Sequence, residues 1–201
     1  DSPCQLIEEP LAGAPNCRNA GARVARGRYL FFLDSHVICG RGFFRRAVEL
    51  MNTRPEIGIL HAALSATGRG SAAFSYSHCY RRKRETPYPV AMFGHAALVV
   101  RRQQFIDLGL YGDCFKGYGG EEPYLDLKYW LCGSQVWVDP ALRIIHYPGP
   151  RNYVASAADY YRNFMMASYA IGGKGWLERI YNEDDPGASL PRDVLASIRL
   201  Q

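Results

Sequence analysis

The stretch YLFFLDSH, residues 29–36, constrains this chain more than any other. Tyr29 to Leu33 are aromatic and aliphatic without alternation, the pattern of a strand buried on both faces and so of a parallel sheet covered by helices. The run stops at Asp34 and His36, which then stand at the carboxyl end of the strand, where open α/β sheets bind ligands. With one residue between them, both side chains can face one side of an extended segment and offer a carboxylate oxygen and an imidazole nitrogen to a single point. A divalent cation suits that pair. A helix N-cap at Asp34 or Ser35, with His36 hydrogen-bonded beside it, is the competing explanation.

Patterning places further elements around this strand. Cys17 to Ala25 reads as a short helix, capped by Asn16 and stopped by Gly27. Arg41 to Asn52 carries Phe44, Val48 and Met51 at helical spacing, widened by Phe43, Ala47 and Leu50, and Pro55 ends it. Ile57 to Leu64 and Ala96 to Val100 read as strands, and RQQFIDLG as a short helix stopped by Gly109. A helix is expected from Pro123 to just before Gly133, with Glu122 left in the preceding turn because a residue before proline is pushed out of the helical region. SQVWVD and LRIIH read as two short strands, the second ending at His146, and Ser156 to Ile171 as a helix. Residues 65–89 lack a clean period and read as a long, partly irregular excursion.

The 201 residues, 48% hydrophobic and 21% charged, suit a globular chain with a full core and exclude a disordered or fibrous one. The expected division is one α/β domain over residues 1–155 and a helical extension over 156–201 packed on it. A net charge of +5 is too small to indicate a nucleic-acid binder, and none is expected; an anionic small substrate is compatible. No apolar stretch approaches the roughly 20 residues needed to span a bilayer, and no leader pattern is visible, so the expected location is the cytoplasm. The six cysteines include no C-x-x-C pair, which argues against a zinc ribbon or redox motif.

Three polar clusters interrupt this apolar architecture: DSH at 34–36, YGGEE at 118–122 and IIHYPGPRN at 144–152. Together with NCRNAGARVARGRYLFFLDSH they resemble the nucleotide-sugar-dependent glycosyltransferases of the GT-A fold, over roughly residues 16–152. The resemblance is to the polypeptide N-acetylgalactosaminyltransferases and to the bacterial inverting (family 2) glycosyltransferases. It implies an α/β fold with a mixed, mainly parallel sheet flanked by helices, here lacking the N-terminal nucleotide-binding strands. Asp34 and His36 match the family's metal motif and His146 its later ligand, which implies Mn2+ or another divalent cation. Mixed oxygen and nitrogen ligation suits manganese better than calcium or magnesium. Arg18 and Asn19 match the family's arginine-asparagine pair, and Gly119, Gly120 and Glu121 its glycine-glycine-glutamate turn.

In inverting relatives the second acid of a similar turn is the general base, which implies that role for Glu122 and an acceptor or sugar contact for Glu121. Retaining relatives carry an amide at the second position, so Glu122 points toward inversion. The glycines are expected to let this turn approach a ligand. Two acids before Pro123 are also what an ordinary helix start looks like. Gly94 and His95 stand where relatives have small residues lining the donor-sugar pocket, and Arg151 is placed to meet the pyrophosphate. The implied activity is transfer of a sugar from a nucleoside diphosphate sugar, a UDP-sugar first, to an acceptor hydroxyl of a glycan, peptide or lipid-linked molecule. The alternative is a non-catalytic GT-A-like binding or assembly module that needs a partner chain for nucleotide binding. The basic run Arg81 to Arg84 is a solvated face or a contact for an acidic acceptor, a partner chain or a membrane surface.

Overall fold

In β1 (Tyr29–Leu33), Leu30 and Phe32 are buried, Tyr29 and Phe31 are half-buried, and only Leu33 is exposed. The computed structural model of the chain describes residues 4–9, 13–65, 85–147 and 156–183. Arg151, the basic run 81–84, most of the excursion 65–89 and the end of the chain lie outside the described residues. The chain divides into two compact units, one of residues 1–24, 110–124 and 153–201, the other of residues 25–109 and 125–152.

The larger unit holds the sheet. Its remaining strands are β2 (Val37–Cys39), β3 (Ile57–Ser65), β4 (Tyr88–Pro89), β5 (Ala97–Arg101) and β6 (Gln135–His146), in the order β1-β5-β3-β6-β2, with β4 also on β6. The sheet is mixed, but the expectation that it is mainly parallel is corrected. Only β3 and β6 pair in parallel among the described strands, and the other pairings are antiparallel. The apolar run misled because it records that both faces are covered, whereas strand direction is set by the connections. Both faces of β1 do meet helices: Phe32 packs on Phe105 of α3 (Arg102–Asp107), and Phe31 on Phe43 and Phe44 of α2 (Phe43–Thr53).

Helix α2 forms because Phe43, Ala47 and Met51 recur every four residues and bury one stripe against Leu60, Val99, Leu142 and Ile144. Arg101 closes its end by donating to the carbonyls of Met51 and Arg54, and to that of Ile57 beyond. The two short strands expected over 134–146 are one strand. Pro140 has no N–H to give a ladder, and the register with β3 jumps there from Ala62↔Asp139 to Ala63↔Arg143, so the irregularity absorbs the proline without ending the strand. Asp139, fully buried, anchors this kink: its carboxylate accepts from Arg46 Nε at 2.6 Å, from Arg46 Nη2 at 3.1 Å and from the Ala141 amide at 2.9 Å.

The smaller unit contains α1 (Ala14–Val24), the turns of 110–121 and α5 (Ala157–Glu183), which is interrupted at Gly173. Helix α4 (Glu122–Leu131) begins in this unit and ends in the other. No described helix is long and apolar enough to cross a membrane.

Arg46→Ala leaves the Asp139 carboxylate buried without its charged partner. Denaturant unfolding should show a loss of about 2–3 kcal/mol, the scale of hydrogen bonds to charged groups, and an unchanged midpoint would refute the anchoring role.

Candidate functional site

The turn of Asp34, Ser35 and His36 carries the chain from β1, on one edge of the sheet, to β2, on the other. It is a turn between strands and not a helix start: the Asp34 amide donates to the Ala96 carbonyl at 2.9 Å, and the Val37 amide to the Asp34 carbonyl at 3.3 Å. Strand β2 then pairs with the end of β6 in the register Val37↔His146. The Tyr147 amide extends that pairing by donating to the His36 carbonyl at 3.0 Å.

This folding brings Asp34, His36 and His146 together, with their ligand atoms all within 4.8 Å of one another. His146 Nε2 lies 3.5 Å from Asp34 Oδ2, and the His36 and His146 rings meet edge to face at 4.3 Å between centroids. Ligands about 2.1 Å from a common ion stand about 3–4 Å apart, so these residues fit a divalent transition metal with small side-chain adjustments. His36 is exposed and the other two are partly so, leaving coordination positions open toward solvent.

A second cluster of the same residue types lies in the same unit, and the sequence reading missed it. His61 of β3, His95 and Asp126 of α4 are each at most 1% exposed. One carboxylate oxygen of Asp126 faces both His61 Nε2 at 3.1 Å and His95 Nε2 at 3.2 Å, while the other accepts the Phe93 amide at 2.7 Å. His95, expected to line a sugar pocket, is turned inward instead. Burial acts to raise the Asp126 carboxyl, but His61 and His95 outweigh it and hold the group well below its ordinary value of 3.8. The signal available in the sequence was two polar residues, His61 and Asp126, inside otherwise apolar stretches.

In the smaller unit, Asn19 is buried and its side-chain oxygen accepts the Tyr111 amide at 3.0 Å, while Arg18 donates to the Tyr111 hydroxyl at 3.2 Å. Gly119 and Gly120 adopt φ of 89° and 81°. The close approach they permit is to α5: a Cβ on Gly120 would stand 2.4 Å from the Tyr160 carbonyl oxygen and 2.8 Å from the Phe164 nitrogen. Buried Asn163 ties the same turn down, bonding both polar backbone groups of Lys116 and the carbonyl of Gly119. The glycines thus have a packing role. Glu121 is buried, and Glu122 is the first residue of α4 where the turn was expected to hold it; the helix starts at the acid whose charge favours a helix N-terminus. Burial, and then the charges of Glu122, Tyr161 and Glu121, push the Tyr160 hydroxyl above its ordinary range.

Residues 1–109 match Glycosyl transferase family 2. The chain belongs to that family. N-acetylgalactosaminyltransferase 6 of Drosophila melanogaster is 28% identical over 192 residues, which cover 85% of this chain and 28% of that protein. The chain is similar in fold to GalNAc-T7 solved with UDP, GalNAc and Mn2+, at a TM-score of 0.66 and 18% identity over 94% of this chain and 41% of that one. It is also similar to a mannosyltransferase from Pyrobaculum calidifontis solved with GDP-Man and Mn2+, at a TM-score of 0.60 and 16% identity, covering 94% of this chain and 55% of that one. The fold is GT-A, as expected. The chain spans 26 to 30% of the length of the first curated relatives it matches.

Two outcomes follow from the geometry. Gly120→Ala should destabilise the turn by about 1–3 kcal/mol or more, because a left-handed backbone and a backbone clash act together, and a thermal melt equal to wild type would refute that packing. Folding favours the ionised form of Asp126, so its contribution is full above the ordinary value of 3.8 and is lost as pH falls through the depressed one. Urea unfolding across the acid range should therefore show a shallower loss of stability for Asp126→Asn than for wild type.

Proposed function

We propose that the chain is the metal-dependent part of a glycosyltransferase that moves a sugar from a UDP-sugar to an acceptor hydroxyl, with inversion. The observation that carries this reading is the convergence of Asp34, His36 and His146 at the open end of the sheet. Membership of Glycosyl transferase family 2 supports it, as do UDP and Mn2+ in a protein of similar fold.

Asp34, His36 and His146 would hold the cation, one carboxylate and two imidazoles on a divalent ion. When bound, it neutralises charge developing on the leaving diphosphate. Glu122 takes the proton of the acceptor hydroxyl as its oxygen bonds to the anomeric carbon; the bond from that carbon to the diphosphate breaks, and its electron pair leaves with UDP. Glu121 contacts the acceptor or the donor sugar. Arg18, Asn19, Gly94, Gly119, Gly120 and Arg151 belong to the donor side of this reading, with Gly119 and Gly120 acting by holding the acidic turn in shape. The acceptor is a hydroxyl of a peptide, a glycan or a lipid-linked sugar.

Mn2+ titration followed by electron paramagnetic resonance should show one site in wild type, weakened in His146→Ala; no site in wild type overturns the metal assignment. With UDP-GalNAc and UDP-GlcNAc as donors, Glu122→Gln should lower turnover about 10²–10⁴-fold while leaving Mn2+ binding intact. Equal turnover in that variant would remove Glu122 from the role of base.

A further inference from the structure

The buried cluster of His61, His95 and Asp126 and the open cluster of Asp34, His36 and His146 share one short segment, residues 93–96. Asp126 fastens this segment from one side, taking the Phe93 amide on one oxygen at 2.7 Å and His95 Nε2 on the other at 3.2 Å. The His61 ring stacks on that of His95 with 5.3 Å between centroids and 25° between planes, and its own Nε2 meets the same oxygen at 3.1 Å. The far end of the segment is the Ala96 carbonyl, which accepts the Asp34 amide at 2.9 Å. That bond lies one step beyond Leu33↔Ala97, the last pair of the β1–β5 ladder.

We propose that Asp126 is a positioning residue: it fixes Phe93 and His95 so that the Ala96 carbonyl holds the backbone of Asp34 at the cation site. The proposal rests on reading Asp34, His36 and His146 as that site. The buried cluster is a hydrogen-bond network and not a second metal centre. Among the described residues, His61 Nδ1 is buried with no hydrogen-bond partner. Bound to a metal through Nε2, His61 would bury an Nδ1–H with nothing to accept it, whereas metal-bound imidazoles almost always donate their second N–H. Donating from Nε2 to Asp126, the ring meets the carboxylate without any metal between them. The carboxylate then receives three donors, His61, His95 and the Phe93 amide, which is how a fully buried charge is made tolerable.

The test uses the full chain and reads two quantities, amide hydrogen exchange by NMR and Mn2+ affinity. His95→Ala removes one donor and frees the segment, while His95→Gln keeps a side-chain N–H for Asp126. The alanine variant should speed exchange at the Asp34 amide and weaken Mn2+ about 10-fold, within the range seen when groups behind metal ligands are lost. The amides of Leu98 and Val100 should stay protected, and His95→Gln should recover most of the loss. Unchanged exchange at Asp34 in a folded His95→Ala protein overturns the proposal, as does faster exchange spread evenly over the sheet, which marks a merely structural role. Should His95→Ala fail to fold, Asp126→Asn serves: its one side-chain oxygen can accept on the Phe93 side or on the imidazole side but not on both, and the same local loss is expected. If wild type binds no Mn2+, the metal reading fails, and exchange at Asp34 alone decides whether Asp126 positions the turn.

Discussion

The three-residue ladder of β2 on β6 is the interaction on which the candidate site depends. It is short, Val37↔His146 to Cys39↔Ile144, yet it decides which side chain of β6 stands beside the turn that leaves β1. A shift of one residue would turn His146 to the other face of the sheet and bring Ile145 into its place. The long parallel pairing of β3 with β6 and the bulge at Pro140 supply the rigid edge on which so short a ladder can hold its register.

Two clusters of one aspartate and two histidines lie in the same unit and are suited to different tasks, and water explains the difference. Around Asp34 the imidazoles reach solvent and their remaining valences can be met by whatever arrives. Around Asp126 the carboxylate must be answered from within, because a buried acceptor left unanswered costs about 1–3 kcal/mol, and His61, His95 and the Phe93 amide answer it. Similar composition thus gives an open cluster in one place and an enclosed one in the other.

Much of this was readable from the chain. Apolar runs marked the strands, the DSH turn fell at a strand end, and the order of motifs pointed to the fold. What escaped were properties that belong to pairs of residues. The direction of neighbouring strands is set by connections and not by the runs themselves. Pro140 looked like a break because a sequence does not show that a bulge can absorb it. The adjacent glycines rightly signalled a close approach, but the helix they approach lies some 40 residues later, at Tyr160 and Phe164. Asp126 meets His61 across 65 residues, and no local period links them.

The glycine turn also bears on how the chain comes to be folded. Its unit is assembled from residues 1–24, 110–124 and 153–201, so its contacts close very large loops. Such contacts form slowly, since the entropy of closure is spent before the contact gives anything back. A ribosome delivers the strands of the sheet before it delivers Tyr160 and Asn163. The turn carrying the two glutamates therefore stays without its packing partner until α5 emerges, while the DSH turn and His146 can already be in place. During synthesis the chain can acquire the corner of Asp34, His36 and His146 first and its acidic turn last.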